Sequence, residues 1–258
     1  MLYHPIASVL VEILEKKLVR YSKDFFEISH IQSSSGTAER FASISVSTFT
    51  KSIKESLRDG FNGTLYTSTL LGTLEEEKLG ERPIKLLFNP MDSFSNFARG
   101  IQNFGVSFLL QEETKQGWVD VFSLAYSFDT QEAIYSDEVG SYIKGRPLKP
   151  VMRKTPKLAV VACNTHAIRN NPNIVHKFKQ LHVSNSIVSD FHLLAKGKID
   201  GIYYEKTSIL QVLPLMLLAK SLRVGGSSAF TELSSELSGK GVSALFINKD
   251  LKDAIFGQ

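Results

Sequence analysis

The sequence predicts an α+β fold in which helix layers and sheet layers alternate, on three observations. An amphipathic stripe opens the chain, short apolar runs separated by turn residues follow, and after Pro147 and Pro150 strands alternate with helices. In the opening stripe Ile6, Val9, Leu10, Ile13, Leu14 and Leu18 recur at helical spacing, with Glu15, Lys16, Lys17 and Arg20 off it. Ser33 to Gly36 is poorly patterned and reads as a loop. Ser47 to Phe61 reads as a second helix with Phe49, Ile53 and Leu57 on one face. Glu75 to Glu77, Lys78, Gly80 and Arg82 form a charged connector, and Ile84 to Phe88 a short apolar strand. Val106 to Leu110, Val119 to Tyr126 and Glu132 to Tyr135 then predict successive strands of an antiparallel sheet, with Gly117 and Asp129 marking turns.

The change of character at the two prolines divides the chain into an N-terminal α+β half, residues 1–150, and a C-terminal α/β half, residues 151–258. In the second half Leu158 to Cys163 is a buried strand, and His176 to Leu181 and Asp190 to Lys196 are helical candidates. Ile199 to Tyr204 is a strand, and Ser208 to Arg223 is an apolar helix stopped by Gly225 and Gly226. Val242 to Ile247 is the last strand.

Composition narrows the function classes. The 258 residues, 43% apolar, support a sizeable core. The net charge of +4 comes from scattered residues, so no nucleic-acid-binding stretch stands out. Even the densest group, Lys144, Arg146, Lys149, Arg153, Lys154 and Lys157, reads as a solvated connector between the halves. A single cysteine, Cys163, forbids an internal disulfide and suits a reducing compartment. The first residues lack a signal-peptide pattern, and the most apolar segment, Ile209 to Ala219, is too short for a membrane span. The expectation is a soluble cytoplasmic protein. The six histidines show no ligand spacing, and neither a Gly-rich nucleotide loop nor a nucleophile elbow is present.

Two stretches carry a family resemblance. The segment Asn89 to Leu110, NPMDSFSNFARGIQNFGVSFLL, resembles the signature of the inositol monophosphatase family, an Asp-Pro-Ile-Asp-Gly-Thr turn followed by Asn-Phe, a glycine and a Phe-x-Val-Ser strand. Pro90, Asp92, Asn96, Phe97, Gly100, Phe104, Val106 and Ser107 match in register. Downstream, Glu138, Gly140, Gly145 and Pro147 resemble the family's hairpin, with Lys144 in place of its Asn. The second stretch, Asn185 to Gly201, is similar to the family's Gly-Ser-Ala-Ala-x-Asp helix and Gly-Arg-x-Asp-Gly turn, through Ser186, Asp190, Gly197, Asp200 and Gly201. The resemblance implies a layered α-β-α-β-α sandwich of the inositol monophosphatase and fructose-1,6-bisphosphatase type. It also implies phosphate-ester hydrolysis with two or three Mg2+ ions, which activate water and neutralise developing charge.

The ligands that this chemistry needs are mostly replaced. Asn89 stands for the first signature Asp, while Asp92 keeps the second. Spacing puts Ser68 and Thr69 where a Glu is expected, and Gln211 or Leu213 where a late Asp is expected. Val46 and Thr50 take the places of a further Asp and Glu, and Glu75 to Glu77 offer a ligand only from the connector. The phosphate-binding backbone of the family's Gly-Thr falls on Ser93 and Phe94, and Ser95 is the candidate substitute for the lost water-orienting hydroxyl. Substrate contacts fall on Ser186 and Asp190. The bland readings are that Asp92 caps the helix beginning near Ser95 and that Asp190 and Asp200 are structural.

A single surviving carboxylate offers little to hold two divalent cations. The leading expectation is a relative with lost or weak phosphatase activity that acts through protein contacts, as a homodimer. Some bacterial members of the family take part in transcription antitermination with RNA polymerase and its Nus factors, so the resemblance implies such partners. The alternatives are a Mg2+-dependent phosphomonoesterase of inositol phosphate or a related sugar phosphate with altered ligands, and a binder of a small phosphate ester without turnover.

Overall fold

The computed structural model describes residues 5–30, 35–149, 155–224, 235–237 and 239–256. Two long helices open it, α1 (Pro5–His30) and α2 (Ser35–Arg58). Next come β1 (Thr64–Ser68), β2 (Leu74–Lys78), β3 (Ile84–Asn89) and the short helix α3 (Phe94–Ala98). The strands β4 (Gly105–Thr114), β5 (Gly117–Ser127), β6 (Glu132–Ser136), β7 (Ser141–Ile143) and β8 (Arg146–Pro147) complete the first half. The second half runs β9 (Val160–Cys163), α4 (Thr165–Asn170), β10 (Gln180–His182), α5 (Ile187–Ala195), β11 (Gly201–Ser208), α6 (Ile209–Ser221), β12 (Gly241–Ile247) and α7 (Lys249–Phe256).

The strands form two mixed sheets. The first has the order β2-β1-β3-β4-β5-β6-β7-β8 and is antiparallel except where β1 lies beside β3. The second has the order β10-β9-β11-β12, parallel except for β12. Alternation along each strand gives each sheet two apolar faces, and each face is covered. Leu10, Leu14, Leu18 and Tyr21 of α1 and Phe49, Ile53 and Leu57 of α2 pack on Leu86, Phe88, Phe108 and Phe122 of the first sheet. Its other face, through Leu87, Leu109 and Ala125, meets α5 and α6. Those helices also bury Ile202, Tyr204 and Phe246 of the second sheet. The outer face of that sheet, with Val161, Cys163 and Leu245, is closed by Ala167 of α4 and Leu251 and Ile255 of α7. The layers therefore follow the order helix, sheet, helix, sheet, helix, as expected.

Local chemistry explains the differences from the sequence reading. The charged segment from Glu75 to Glu77 is not a connector but the core of β2, an edge strand paired along its length with β1. An edge needs only one ladder of backbone bonds, and charged side chains protect its open side. The second helix begins earlier, so Ser35 and Gly36 are helical, while 33 and 34 lie outside the described residues. His176 to Leu181 is not helical: a 3-10 turn over Pro172–His176 leads into β10. Gly225 and Gly226 lie outside the described residues, as do Pro150, Arg153 and Lys154. Cys163 is fully buried, and burial pushes its thiol up to about 12. Among the described residues no helix is long and apolar enough to cross a membrane.

Gly105 packs tightly beneath α5. A Cβ there would lie 2.3 Å from Val188 Cγ1 and 2.5 Å from the Tyr126 carbonyl oxygen. The backbone oxygen cannot yield, so Gly105→Ala is expected to lower unfolding free energy by about 3 kcal/mol. An added Cβ at Gly36 meets nothing within 4 Å, so Gly36→Ala is expected to raise stability by about 0.5 kcal/mol through helix propensity. Urea unfolding of both variants beside the parent chain checks the pair.

Candidate functional site

A cleft of about 660 Å³ opens where the two halves meet. The end of β1 and its turn into β2 supply Ser68, Thr69, Leu70 and Leu71. The turn after β3 supplies Met91, Asp92, Phe94 and Ser95, and α6 supplies Gln211. From the second half come His166 and Arg169 of α4, Asn185 before α5, and Tyr204 and Lys206 of β11. The fold thus gathers Ser68, Thr69, Asp92 and Gln211, at positions that spacing assigns to the family's ligands, with Ser95, the candidate substitute for the water-orienting hydroxyl. Counting forward from Gly201 reaches the cleft at Gln211, whereas Leu213 is buried against Tyr66, Leu87 and Leu109.

Asp92 is the one acid among the described residues lining the cleft, and its oxygens are occupied. The Gly105 N–H donates to Oδ1 at 2.7 Å. Oδ2 accepts from Ser186 Oγ at 2.7 Å and from the Val188 N–H at 2.9 Å. Ser186 is the N-cap of α5, its Oγ accepting from the Ser189 N–H at 3.1 Å. Asp92 does not cap α3, whose N-cap is Ser93 with no side-chain bond. It completes the first turn of α5 instead, where a carboxylate also meets the positive end of the helix dipole. Burial pushes its carboxyl up to about 6, against the Val188 N–H, Ser186 Oγ and Gly105 N–H, which favour the charged form.

The other candidates are placed as follows. Asn89 does not line the cleft; it is buried, and neither of its amide atoms has a hydrogen-bond partner. Ser93 is buried, Phe94 is half-buried at the cleft wall, and Ser95 is exposed there. The substrate assignments for Ser186 and Asp190 meet a physical obstacle, since both are fully buried. Ser186 spends its hydroxyl on Asp92. Asp190 accepts from Ser184 Oγ at 2.6 Å and from the Tyr204 hydroxyl at 2.7 Å, with His182 Nε2 at 3.3 Å. The Asp190 hydrogen bond, chiefly, raises the His182 imidazole above its usual range. Asp200 accepts from the Val160 N–H at 2.9 Å, a structural use.

Gln211 is committed as well: Nε2 donates to the Asp92 main-chain oxygen at 2.8 Å, and Oε1 accepts from Thr207 Oγ1 at 3.0 Å. Val46 and Thr50 line a neighbouring hollow of about 470 Å³ between α2 and β1. Glu75 and Glu77 pair with Lys54 and Arg58 of α2 at 2.8 and 2.7 Å, so they do not turn toward Asp92 as ligands.

Magnesium calls for several hard oxygen donors, carboxylates above all. Here the cleft offers one carboxylate with three donors on it, a glutamine whose amide is already bonded at both ends, and neutral hydroxyls. Among the described residues no group of three or more His, Cys, Asp or Glu side chains is gathered anywhere. These residues do not fit a magnesium pair. The sequence reading passed over His166, Arg169 and Lys206, and Asn164 beneath them, because each is an isolated polar residue in its own segment.

No family model matches this sequence, and no curated protein does. Solved structures do match in shape. The extragenic suppressor protein SuhB from Bartonella henselae superposes with a TM-score of 0.74 at 16% identity, over 99% of this chain and 100% of that one. Inositol monophosphatase II from Staphylococcus aureus gives 0.74 at 12% identity, over 97% and 91%. A protein described as an inositol monophosphatase and fructose 1,6-bisphosphatase gives 0.66 at 17% identity, over 83% of each. The chain thus has the inositol monophosphatase fold, as the turn and helix motifs imply.

The raised Asp92 carboxyl sets a pH dependence of unusual sign. Its value, about 6 against an ordinary 3.8, means that the folded chain binds the proton more tightly than the unfolded chain. The stability linked to it is present below about pH 4 and lost as pH rises through about 6, a difference of about 3 kcal/mol. Wild type is therefore expected to lose about 2 kcal/mol relative to the titration-silent Asp92→Asn between pH 4 and pH 7. Urea titrations in chelator measure it, and a pH-independent difference would contradict the assignment.

Proposed function

We propose that this chain acts by binding and not by turnover: a protein on the inositol monophosphatase fold that has set aside magnesium-dependent hydrolysis of phosphate esters. One observation carries the reading. The cleft's acid, Asp92, has both oxygens engaged by Gly105, Ser186 and Val188. To serve as a metal ligand it would have to release donors buried with it, and each unpaired buried donor costs about 1–3 kcal/mol. The remaining wall offers no second negative charge to offset the dehydration of Mg2+.

A second copy of the chain and a protein of the transcription machinery, RNA polymerase or a Nus factor, are the partners this reading proposes, on the resemblance alone. Light scattering of the purified chain and co-purification with those components test them.

Calorimetry with MgCl2 and phosphate release from inositol 1-phosphate, on one preparation, test the loss of turnover. The expected result is no saturable Mg2+ binding below about 1 mM, weaker than about 4 kcal/mol of binding free energy, and no release above the buffer rate. Magnesium-dependent release that disappears in chelator would overturn the reading.

A further inference from the structure

The mouth of the same cleft carries positive charge where the metal ligands are missing. Arg169 on α4 and Lys206 on β11 both line it, both are exposed, and neither has an ion-pair or hydrogen-bond partner among the described residues. Surface cations are common, so the question is whether the backbone holds these two in place. It does. Between Tyr204 and Thr207 the pairing of β11 with β12 shifts register, and Lys206 there adopts φ 52°. A side chain rarely takes that left-handed conformation, and a bulge of this kind re-aims the residue it carries.

One buried residue locks the bulge to the helix that bears Arg169. Asn164 Nδ2 donates to the Glu205 carbonyl at 2.7 Å, and its Oδ1 accepts from the Glu205 N–H at 3.1 Å. The same Oδ1 accepts from the Ala167 N–H at 2.9 Å, as the N-cap of α4. The nearby acid is kept out of reach: the Glu205 carboxylate accepts from Asn170 Nδ2 and the Tyr203 hydroxyl. Asp92, the acid inside, is already surrounded by donors. The result is a polar cavity with two cations at its rim that no described acid pairs with directly, and with hydroxyls and amides on its walls.

We infer that this cleft binds a small multiply charged oxyanion directly, without metal ions, through Arg169 and Lys206. The guanidinium supplies a planar fork for two oxygens and the ammonium a point charge. The cavity of about 660 Å³ leaves room beside the anion for a polar body against the hydroxyl-bearing wall. This rests on the non-hydrolytic reading and deepens it, since cations take over the charge neutralisation that metals supply elsewhere.

The test is calorimetry in EDTA with glycerol 2-phosphate, inorganic phosphate and malate, with glycerol as the uncharged control. Glycerol 2-phosphate is expected to bind saturably, more tightly than inorganic phosphate, and to weaken as salt rises. Malate binding would widen the ligand class to carboxylates and leave the two-cation contact supported. Arg169→Gln and Lys206→Gln are each expected to weaken binding about tenfold or more, while Lys252→Gln, on α7 and outside the cleft lining, leaves it unchanged. Both cleft residues are exposed, so the variants are expected to keep the parent melting temperature. Absence of binding in EDTA, or equal affinity in the parent and both cleft variants, overturns the inference. Magnesium-dependent phosphate release from glycerol 2-phosphate would sink the non-hydrolytic reading alone, because the EDTA titrations of the variants still report the cation contact.

Discussion

A carboxylate placed away from water needs donors, and the Asp92 carboxylate draws its donors from three parts of the chain. They are the start of a strand at Gly105, the cap of a helix at Ser186 and the first turn of that helix at Val188. The Asp92 main chain adds a return bond, its N–H donating to the Gly105 carbonyl at 3.1 Å, and a further one accepted from Gln211. This small network ties the first sheet to the helices that lie between the sheets. It gives Asp92 a structural task on its turn. An unpaired donor in a dry interior costs more than a satisfied one gains, so an acceptor at Asp92 serves the fold.

The layer order is legible in the sequence because it rests on period. The spacing of Leu10, Leu14 and Leu18 faces a sheet, and alternation along 105–127 gives that sheet two sides. The strand carrying Glu75 to Glu77 is illegible by the same rule: its order comes from backbone pairing with Thr64–Ser68, which leaves no apolar trace. At the site, Ser68 and Gln211 are found by counting residues from fixed turns. The side-chain directions of Asn89, Ser186 and Asp190 are not found that way, because a match in register says nothing of which way a strand or helix end faces. Arg169 and Lys206 are distant in sequence, and the bonds of Asn164 and Asn170 to Glu205 bring their segments together.

Taken with the charge at the rim, the cleft differs in its electrostatics from a metal-dependent pocket. A metal-dependent pocket stores negative charge on side chains and lets cations come and go. This pocket has one acid in its interior, Asp92, already bonded to three donors, and carries positive charge at its rim. Such a site needs no divalent ion to attract an anion, and its attraction weakens with ionic strength as any exposed charge does. The hydrogen bonds of Asp190 to Ser184 and Tyr204 then serve to stiffen the wall.

Cys163 is the last residue of β9, the strand between β10 and β11, and is buried among Ala167, Ile174 and Tyr203. With its thiol pushed up to about 12, the native chain presents almost no thiolate at neutral pH. Alkylating reagents can reach it only when the second sheet separates from its outer helices. The rate of labelling at this one atom is thus a built-in clock for local opening of the C-terminal half, and a cysteine introduced elsewhere can be tagged without first removing the native one.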